Sequence, residues 1–542
     1  MTTARKVNDW TGFAKLRNEA SSTIEAAMCY HCKKIFQMYS QELFISHRNQ
    51  CNQQINDSTS QGVSNSSNDK SLEYSDFPDN SDVQKVTAAL HVLLAKFFVT
   101  ANIPFKQVEN KHFLNFIKGL IKSKINYEPP CRETLATTIF KKLHEKVEKE
   151  KKIQLQNTES VLLVDGWRNK STNQKYLFFT LRNVNVQQTF LNYFEYLMDD
   201  EDDENVSTQI NRAIMEAKEK YSAHVYAIVT ENDSELVRSA RMIHSLNHKL
   251  LIQSTCASDS GYLLIKSFED DYLVAMIREI FDAFKPDSKI EALLLKEGGT
   301  RLKALPETHW RFLRDSCFHL LENLEVLKNI CDIGEIDLRP DVIECINSLD
   351  FENTLIELLN NLDPLCELIS KCRDPKCNVA DVAEYWLSFK LPTSQYDDII
   401  TARKDKAIWP VGYAANLLHH KYEGKLLDKA QKLVATDFLK EEMDALVFEE
   451  YRNYELTKED YKFYADNCND PVAYWKLVGM TLPDLSKFVV KIMLLPASTA
   501  LIDSLFSNWT YVHDACKDRL NGEHSPKLVD VYYSLMRDLS IQ

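Results

Sequence analysis

The sequence predicts an α+β protein that is mostly helical, with a short block of β-strands between two helical regions. Glycine is scarce, at 12 of 542 residues, which is typical of helical chains because helices need glycine mainly at their ends. Between residues 160 and 230 the apolar residues form short runs rich in Val, Leu, Phe and Tyr, a pattern that predicts strands. A hydrophobic content of 44% with 27% charged residues excludes a disordered chain.

The N-terminal segment 1–52 contains four potential metal ligands, Cys29, Cys32, His47 and Cys51. Two cysteines separated by two residues, followed by a histidine and a fourth ligand, match the spacing of a tetrahedral structural Zn²⁺ site. The few apolar residues of this segment could not keep it folded without a metal. The alternative is a chance arrangement, since the chain has 13 cysteines. We predict a zinc finger with structural Zn²⁺.

Residues 53–82 are rich in Asn, Ser, Gln and Asp and predict a disordered linker. Segment 83–154 predicts three helices: one from Val83 that Pro104 ends, a second over 109–123 and a third over 133–152. The third helix is lysine-rich, and its basic residues either form a salt-bridged surface or contact phosphates. They are Lys141, Lys142, Lys146, Lys149, Lys151 and Lys152.

The α/β block covers residues 155–285. Strands are predicted over 160–167, 175–185, 188–197 and 224–230, and helices over 207–220 and 233–244. The remainder predicts helices only, interrupted by the glycine pair near residue 298. The sequence contains no signal peptide and no apolar run long enough for a membrane span, so we expect a cytosolic or nuclear protein.

Several motifs occur in a fixed order along the chain. They include Ile103-Pro104-Phe105 and Pro130-x-Arg132, the stretch LLVDGWRNKSTNQKYLFFTLRNV, and later Tyr474-Trp475, Pro496-Ala497-Ser498 and Leu505-Phe506-Ser507. Together they resemble hAT-family transposases over nearly the whole chain. The aromatic residues of WTGFAKL near the N-terminus resemble the start of a BED-type zinc finger.

The resemblance implies an RNase H-like core whose first part is segment 155–285. An all-helical insertion, 286–455, would interrupt this core, and the dimerisation segment 456–542 would complete it. It further implies a nuclear, homo-oligomeric protein that binds DNA through its zinc finger and through segment 83–154. The DNA-contacting residues would be Lys141, Lys142, Lys146, Lys149 and Trp310. The alternative for Trp310 is packing between helices.

The resemblance also aligns Asp165, Glu231 and Asp503 with three catalytic carboxylates that hold two Mg²⁺ or Mn²⁺ ions in active relatives. Three departures stand out. Glu231 replaces an aspartate, Asp503 replaces a glutamate, and Asp259 replaces the histidine of a Cys-x-x-His motif. Because metal geometry tolerates little change in ligand length, we expect a catalytically inactive, domesticated protein with roles in transcription or chromatin regulation and partners among such proteins.

Two alternatives remain open. The chain could be an active or decaying transposase that cleaves DNA with divalent metal ions, or a protein-interaction scaffold that does not contact DNA. The formal net charge of −14 does not exclude DNA binding, because segments 1–51 and 106–152 are both locally basic.

Overall fold

A computed structural model describes residues 13–17, 24–29, 35–36, 83–101, 103–169, 173–185, 188–197, 203–246, 252–284, 289–302, 309–333, 339–392, 394–502 and 525–540. The chain divides into two compact units, Met1–Ile125 and Asn126–Gln542. The division falls within the predicted helical segment 83–154, so its first two helices belong to the first unit and its third helix to the second.

The first unit contains a three-stranded antiparallel sheet in the order β1-β2-β3, formed by Phe13–Arg17, Ile24–Cys29 and Ile35–Phe36. The backbone of Cys29 ends β2 opposite Phe13. The other three predicted zinc ligands, Cys32, His47 and Cys51, and the predicted linker lie outside the described residues. Two helices follow, α1 (Val83–Thr100) and α2 (Lys111–Ser123).

The second unit begins with the third predicted helix, α3 (Phe140–Leu155), preceded by a π-helical turn over Leu135–Ile139. Five strands then form one sheet: β4 (Glu159–Asn169), β5 (Gln174–Asn183), β6 (Gln188–Leu197), β7 (His224–Thr230) and β8 (Ile252–Thr255). Their order in the sheet is β6-β5-β4-β7-β8. The first three strands are antiparallel neighbours, whereas β4, β7 and β8 run parallel.

Helices connect the parallel strands, as parallel pairing requires. Helix α4 (Asp203–Tyr221) lies between β6 and β7, and α5 (Ser234–Leu246) lies between β7 and β8. The central strand β4 is buried on both faces. Leu162 and Val164 join a core formed with α4 and α5, whereas Val161 and Leu163 join the larger core on the other face, because successive side chains of a strand point to opposite faces.

The rest of the chain is helical, as predicted, and in the described residues beyond β8 the only β-pairing is an isolated bridge between Asn378 and Pro496. The helices are α6 (Ala257–Lys266), α7 (Asp271–Ala283), α8 (Lys289–Lys296), α9 (Phe312–Ile333), α10 (Pro340–Asn347), α11 (Leu349–Cys372), α12 (Val379–Ser388), α13 (Asp397–Ala407), α14 (Pro410–Leu418), α15 (Lys429–Glu442), α16 (Ala445–Leu456), α17 (Lys462–Asn467), α18 (Pro471–Val478), α19 (Pro483–Met493) and α20 (Ser525–Ser540). The break predicted at the glycine pair is confirmed, since α8 ends before Gly298, whose φ is 91°. None of the helices in the described ranges has the length and hydrophobicity needed to cross a membrane.

The C-terminal segment packs into the second unit. The apolar side chains of Val489, Ile492 and Leu495, which recur at three-residue intervals, are fully buried within the chain, so they are not available to a second subunit. Helix α20 packs against α3 and β6, and Phe190 of β6 contacts Tyr533 of α20 with ring centroids 6.3 Å apart. The fold is therefore α+β and mostly helical, with one mixed sheet in its second unit.

One lysine of the predicted basic helix lies in the interior. Lys151 is 1% exposed, and its Nζ donates hydrogen bonds to Asp530 of α20 at 2.9 Å and to Glu148 at 3.0 Å. The prediction that all six lysines share a solvent-facing surface is wrong for Lys151. The sequence offers no sign of this, because its partner Asp530 lies 379 residues further along the chain.

Candidate acidic site where β7 ends beside β4

Two of the three predicted catalytic carboxylates come together where β7 ends beside β4. The parallel register pairs Val164 with Thr230, so Asp165 and Glu231 are the next residues on neighbouring strands. The backbone N of Glu231 donates to the carbonyl oxygen of Val164 at 3.2 Å. The third predicted carboxylate, Asp503, lies outside the described residues, which end at Ile502 in this part of the chain.

The backbone directs the Asp165 side chain to one face of the sheet, and the Glu231 carboxylate reaches the neighbouring residue Gly166. Strand alternation places Asp165 on the same face as Leu163, and the residue of β5 that pairs with Asp165 is Phe178. In contrast, Oε1 of Glu231 lies over Gly166, only 2.6 Å from where a Cβ on that glycine would be. The side chain of Glu231 therefore lies on the face that carries Leu162 and Val164.

Glu231 is half-buried and has an excess of negative charge around it. Loss of water around the carboxyl, together with the nearby carboxylates of Asp165, Asp259 and Asp233, raises the pKa of Glu231 well above its usual value. Lys175 opposes this shift without cancelling it. Glu231 therefore favours its protonated form more than a solvent-exposed glutamate does.

Lys175 lies at the centre of a buried ion network on the same side of the sheet. The side chain is fully buried, and its Nζ bonds to Oε2 of Glu235 at 2.7 Å and to Oδ2 of Asp233 at 3.3 Å. Tyr196 also donates to Oε2 of Glu235, at 2.9 Å, whereas the buried Oε1 of Glu235 has no hydrogen-bond partner among the described residues. Neither Lys175 nor Glu235 was predicted from the sequence to be functional.

Asp233 caps the helix that follows β7. Its Oδ1 accepts from the backbone N of Glu235 at 2.9 Å and so holds the first turn of α5. Its Oδ2 bonds to Arg168 at 2.6 Å. Burial alone would raise the pKa of Asp233. The positive charges of Lys175 and Arg168 outweigh burial and hold this pKa below its usual value.

Asp259, which stands at the histidine position of the family motif, lies in the first turn of α6. Its Oδ2 accepts from the backbone N of Asn232 at 2.9 Å, and the Asn232 side chain donates to the carbonyl oxygen of Cys256 at 2.7 Å. These bonds join the end of β7 to the start of α6. Burial raises the pKa of Asp259, so this position adds an acidic group where the family motif has a histidine.

The C-terminal segment docks at the same edge of the sheet. The backbone N of Ala257 donates to the carbonyl oxygen of Ala497 at 2.9 Å, and the hydroxyls of Ser258 and Ser498 lie 2.6 Å apart. Ser498 also contacts the buried thiol of Cys256 at 3.2 Å. The two sequence motifs Cys256-Ala-Ser-Asp259 and Pro496-Ala497-Ser498 are therefore in direct contact, 240 residues apart in sequence.

This edge offers two of the three predicted metal ligands within the described residues, since Asp503 lies outside them. Carboxylate oxygens are the right donors for Mg²⁺ or Mn²⁺, and among the nearby carboxylates Asp165 contributes most to the raised pKa of Glu231. Within the described ranges, three metal-ligating atoms lie within 4.8 Å of one another only in a different cluster, formed by His144, Glu148 and Asp530. In that cluster the ammonium group of Lys151 already bonds to both carboxylates, so it is an ion-pair network with its cation supplied by the chain.

The predicted DNA-contacting lysines fall on one side of α3. Lys141, Lys142, Lys146 and Lys149 are exposed, and with Lys152 they span an arc of about 140° at 100° per residue. Lys146 is 3.8 Å from Glu150. The opposite side of the helix carries the buried residues Val147, Lys151 and Leu155.

Trp310 is half-buried just before α9 and packs against the larger core. The guanidinium groups of Arg311 and Arg373 lie 5.8 and 5.7 Å from its ring, within the range of cation–π contacts. These contacts agree with the packing alternative stated above, and base stacking by Trp310 stays a prediction.

No protein-family model matches this chain, and no curated protein sequence matches it.

Proposed function

We propose that the protein is a nuclear, transposase-derived DNA-binding protein that retains an RNase H-like core without its cleavage reaction. Three features support the core assignment: the strand order β6-β5-β4-β7-β8, the placement of Asp165 within β4 beside Glu231 just after β7, and the docking of the C-terminal segment beside them. The zinc finger, the dimeric state and a role in transcription or chromatin regulation are parts of the same proposal.

The exposed lysine face of α3 is the observation that carries DNA binding. Five lysines share this face with one acidic residue, Glu145, while the opposite face is anchored to the core through Lys151 and Leu155. A rigid helix that presents lysines to solvent can neutralise several phosphates at once. Such contacts position DNA without reading its sequence, so sequence preference would come from other residues.

The salt dependence of DNA binding tests this face. Changing Lys141, Lys142, Lys146 and Lys149 to Gln removes four positive charges. Because each phosphate contact contributes about 0.9 to the slope of log K against log [salt], the slope should fall by about 3 to 4. The matched control changes four exposed lysines in and before α15, namely Lys425, Lys429, Lys432 and Lys440. Equal slopes for the two quadruple variants would overturn the role of α3.

The partners already held by the acidic groups are the observation that supports the absence of cleavage. Two-metal cleavage requires carboxylates that converge on ions about 3.5 to 4 Å apart. Among the described residues, no third metal-ligating group lies within 4.8 Å of both Asp165 and Glu231. The other acidic groups at this edge have partners in the chain, since Lys175 and Arg168 bind Asp233 and the backbone of Asn232 binds Asp259.

A second candidate function, metal-dependent DNA cleavage, is favoured by the raised pKa of Glu231. That shift reflects uncompensated negative charge, which a divalent cation would relieve. The decisive experiment incubates the full chain with duplex DNA and Mn²⁺, beside an Asp165→Ala variant and an Asp437→Ala control at an exposed carboxylate. Cleavage by the unmodified chain and the control, but not by Asp165→Ala, would refute the inactive core. Absence of cleavage in all three supports it.

The zinc finger and the dimer are tested separately. Elemental analysis should find one zinc per chain, and Cys32→Ala should lose it together with most DNA affinity. Retention of both would refute the finger. Light scattering should give twice the mass of one chain, and since Val489, Ile492 and Leu495 are buried, other residues of segment 456–542 must form the contact. Exposed apolar side chains there include Leu456, Phe463 and Met480.

A further inference from the structure

A cavity of about 740 Å³ lies in the helical part of the second unit, away from any residue that the acidic site uses. Five segments form its wall: the end of β5, the connection from α11 to α12, the turn after α14, the start of α18 and the end of α19. Its volume is within the range of about 300 to 1,000 Å³ that is typical of pockets for small organic ligands.

Arg182, at the end of β5, contributes a buried positive charge to this cavity. The residue is 6% exposed, and one of its guanidinium nitrogens donates to the carbonyl oxygen of Pro375 at 2.7 Å. Among the described residues no carboxylate pairs with Arg182. Burial lowers the pKa of Arg182, and the groups that act on it electrostatically are Tyr226 and Cys377, which are neutral at pH 7. A guanidinium stays charged, so this buried charge lacks a counter-ion from the chain.

His419 adds a neutral hydrogen-bond donor to the same wall. Its ring is 3% exposed, and burial lowers the pKa of His419 to about 3. Nδ1 accepts from the backbone N of Lys421 at 3.2 Å, which assigns the ring proton to Nε2. The ring stacks on Tyr422 with centroids 4.0 Å apart and an interplanar angle of 17°, so its orientation is fixed.

The charged side chains around the cavity give it a net positive charge, which favours an anionic ligand. Lys376 and Lys421 are exposed residues of the wall, and Nζ of Lys421 is held by Asn469 at 2.7 Å. The two carboxylates, Asp381 and Asp470, are already engaged. Asp381 accepts from Tyr422 at 2.8 Å and from the backbone N of Asn378 at 3.0 Å, and Asp470 accepts from the backbone N of Val472 at 3.0 Å.

The remaining wall combines apolar side chains with Asn185, Asn378 and Asn469. Among the apolar residues, Val184 is 37% exposed and Val472 is half-buried. Apolar side chains in the same cavity as a buried guanidinium suit a ligand that combines an uncharged ring or chain with one anionic group. A phosphate is the better match than a carboxylate, because a guanidinium, an imidazole N–H and two ammonium groups can share its three terminal oxygens.

We propose that this cavity binds a small organic phosphate of mononucleotide size, with the phosphate on Arg182 and His419 and the apolar part against Val184 and Val472. This site is independent of the function proposed above. DNA is the less suitable occupant. A terminal phosphate can reach a guanidinium that is 6% exposed more readily than the continuous backbone of DNA can, because proteins bind that backbone in exposed grooves.

Calorimetric titration of the full chain at constant ionic strength tests the proposal. The probes are adenosine monophosphate, adenosine and inorganic phosphate. We expect saturable binding of the monophosphate, at least tenfold weaker binding of adenosine, and weaker binding of inorganic phosphate. Arg182→Gln should weaken the monophosphate at least tenfold, whereas Arg212→Gln, at an exposed arginine of α4, should leave it unchanged.

The free protein provides the folding control. Because Arg182→Gln removes a buried charge without a carboxylate partner, its unfolding midpoint without ligand should stay within a few degrees of the unmodified chain. If this variant does not fold, the double variant Lys376→Gln, Lys421→Gln replaces it, and the monophosphate should then bind severalfold more weakly.

Three outcomes would overturn the proposal. The first is the absence of saturable binding for the monophosphate and for inorganic phosphate. The second is equal affinity of the monophosphate for the unmodified chain and for the folded cavity variant. The third is a loss of duplex DNA affinity in the cavity variant without any monophosphate binding by the unmodified chain, which would assign the cavity to the DNA backbone.

Discussion

Two buried ion networks in the second unit differ in how well their carboxylates are matched by cations. Around Lys151, the carboxylates of Glu148 and Asp530 are matched by the ammonium groups of Lys151 and Lys220. Where β7 ends beside β4, five carboxylates lie near only two cations that form ion pairs with them, Lys175 and Arg168. The carboxylates are Asp165, Glu231, Asp233, Glu235 and Asp259.

The difference teaches which network serves packing. The Lys151 network joins α3 to the C-terminal helix α20, and each of its carboxylates has a cation within 3.0 Å. The network around Lys175 leaves Oε1 of Glu235 without a partner among the described residues. Beside it, burial and the carboxylates of Asp165, Asp259 and Asp233 raise the pKa of Glu231, and Lys175 does not cancel this shift. An imbalance of this kind has no benefit for stability, so it is the better candidate for a functional site or for the remains of one.

The largest expected effect breaks the balanced network. Lys151→Met leaves the buried Asp530 without its cation, and removing one partner of a buried pair typically costs about 3 to 5 kcal/mol. The matched control is Lys146→Met on the same helix, where the pair with Glu150 is exposed and 3.8 Å long, so the change should stay within about 0.5 kcal/mol. Urea unfolding of the full chain measures both.

Similar losses for the two lysine variants would show that Lys151 acts as an ordinary surface residue. A loss confined to Lys151→Met would show that Lys151 stabilises the interior and does not belong to the exposed lysine face of α3. Helical periodicity identifies the apolar face of α3, but it cannot reveal that a distant aspartate supplies the counter-charge that allows a lysine onto that face.

The second effect concerns the unbalanced network and has a defined dependence on pH. Because the pKa of Glu231 is raised above its usual value of 4.5, the folded chain keeps this proton to a higher pH than the unfolded chain does. At pH values between the pKa of Glu231 in the unfolded chain and its pKa in the folded chain, the folded state binds more protons. The stability of the folded state therefore falls as the pH rises through this range. Glu231→Gln removes this loss and should be more stable than the unmodified chain at pH 8.

The advantage of Glu231→Gln should shrink as the pH falls toward 4.5, where both proteins carry a neutral side chain at this position. Thermal unfolding in the presence of a chelator, at pH 5 to 8, measures it. Glu441→Gln, at an exposed residue of α15, is the control and should change stability by no more than about 0.5 kcal/mol at any pH. A variant that is less stable than the unmodified chain at pH 8 would contradict the electrostatic interpretation.

The fold was largely predictable from local patterns. Strands β6 and β7 match their predicted ranges, residues 188–197 and 224–230, and β4 and β5 differ from theirs by no more than two residues at either end. Strand β8 was missed because it is four residues long and three of them, Gln253, Ser254 and Thr255, are polar. Its burial comes from pairing with β7, which a single sequence does not reveal.

The candidate site was predictable only in part. The resemblance aligned Asp165 and Glu231, and the parallel pairing of β4 with β7 brings them side by side. Lys175 and Arg182 were not predicted to be buried or functional, because a lysine or arginine in a strand pattern is normally assigned to a solvent-facing position. Both are buried through tertiary contacts. A charged residue within a run such as KYLFFTLRN, which is otherwise apolar enough for a fully buried strand, is the one clue that the sequence offered.

The smallest expected effect tests the orientation of Glu231 directly. A Cβ added at Gly166 would lie 2.6 Å from Oε1 of Glu231 and 3.4 Å from Leu177, so alanine there must displace the end of the glutamate side chain. Replacing a strand glycine by alanine otherwise gains about 0.5 to 1 kcal/mol. Gly166→Ala should therefore stabilise an Glu231→Ala background by about that amount and the unmodified chain by less, as a double-mutant cycle of unfolding free energies would show. The same gain in both backgrounds would mean that the Glu231 carboxylate does not lie over Gly166.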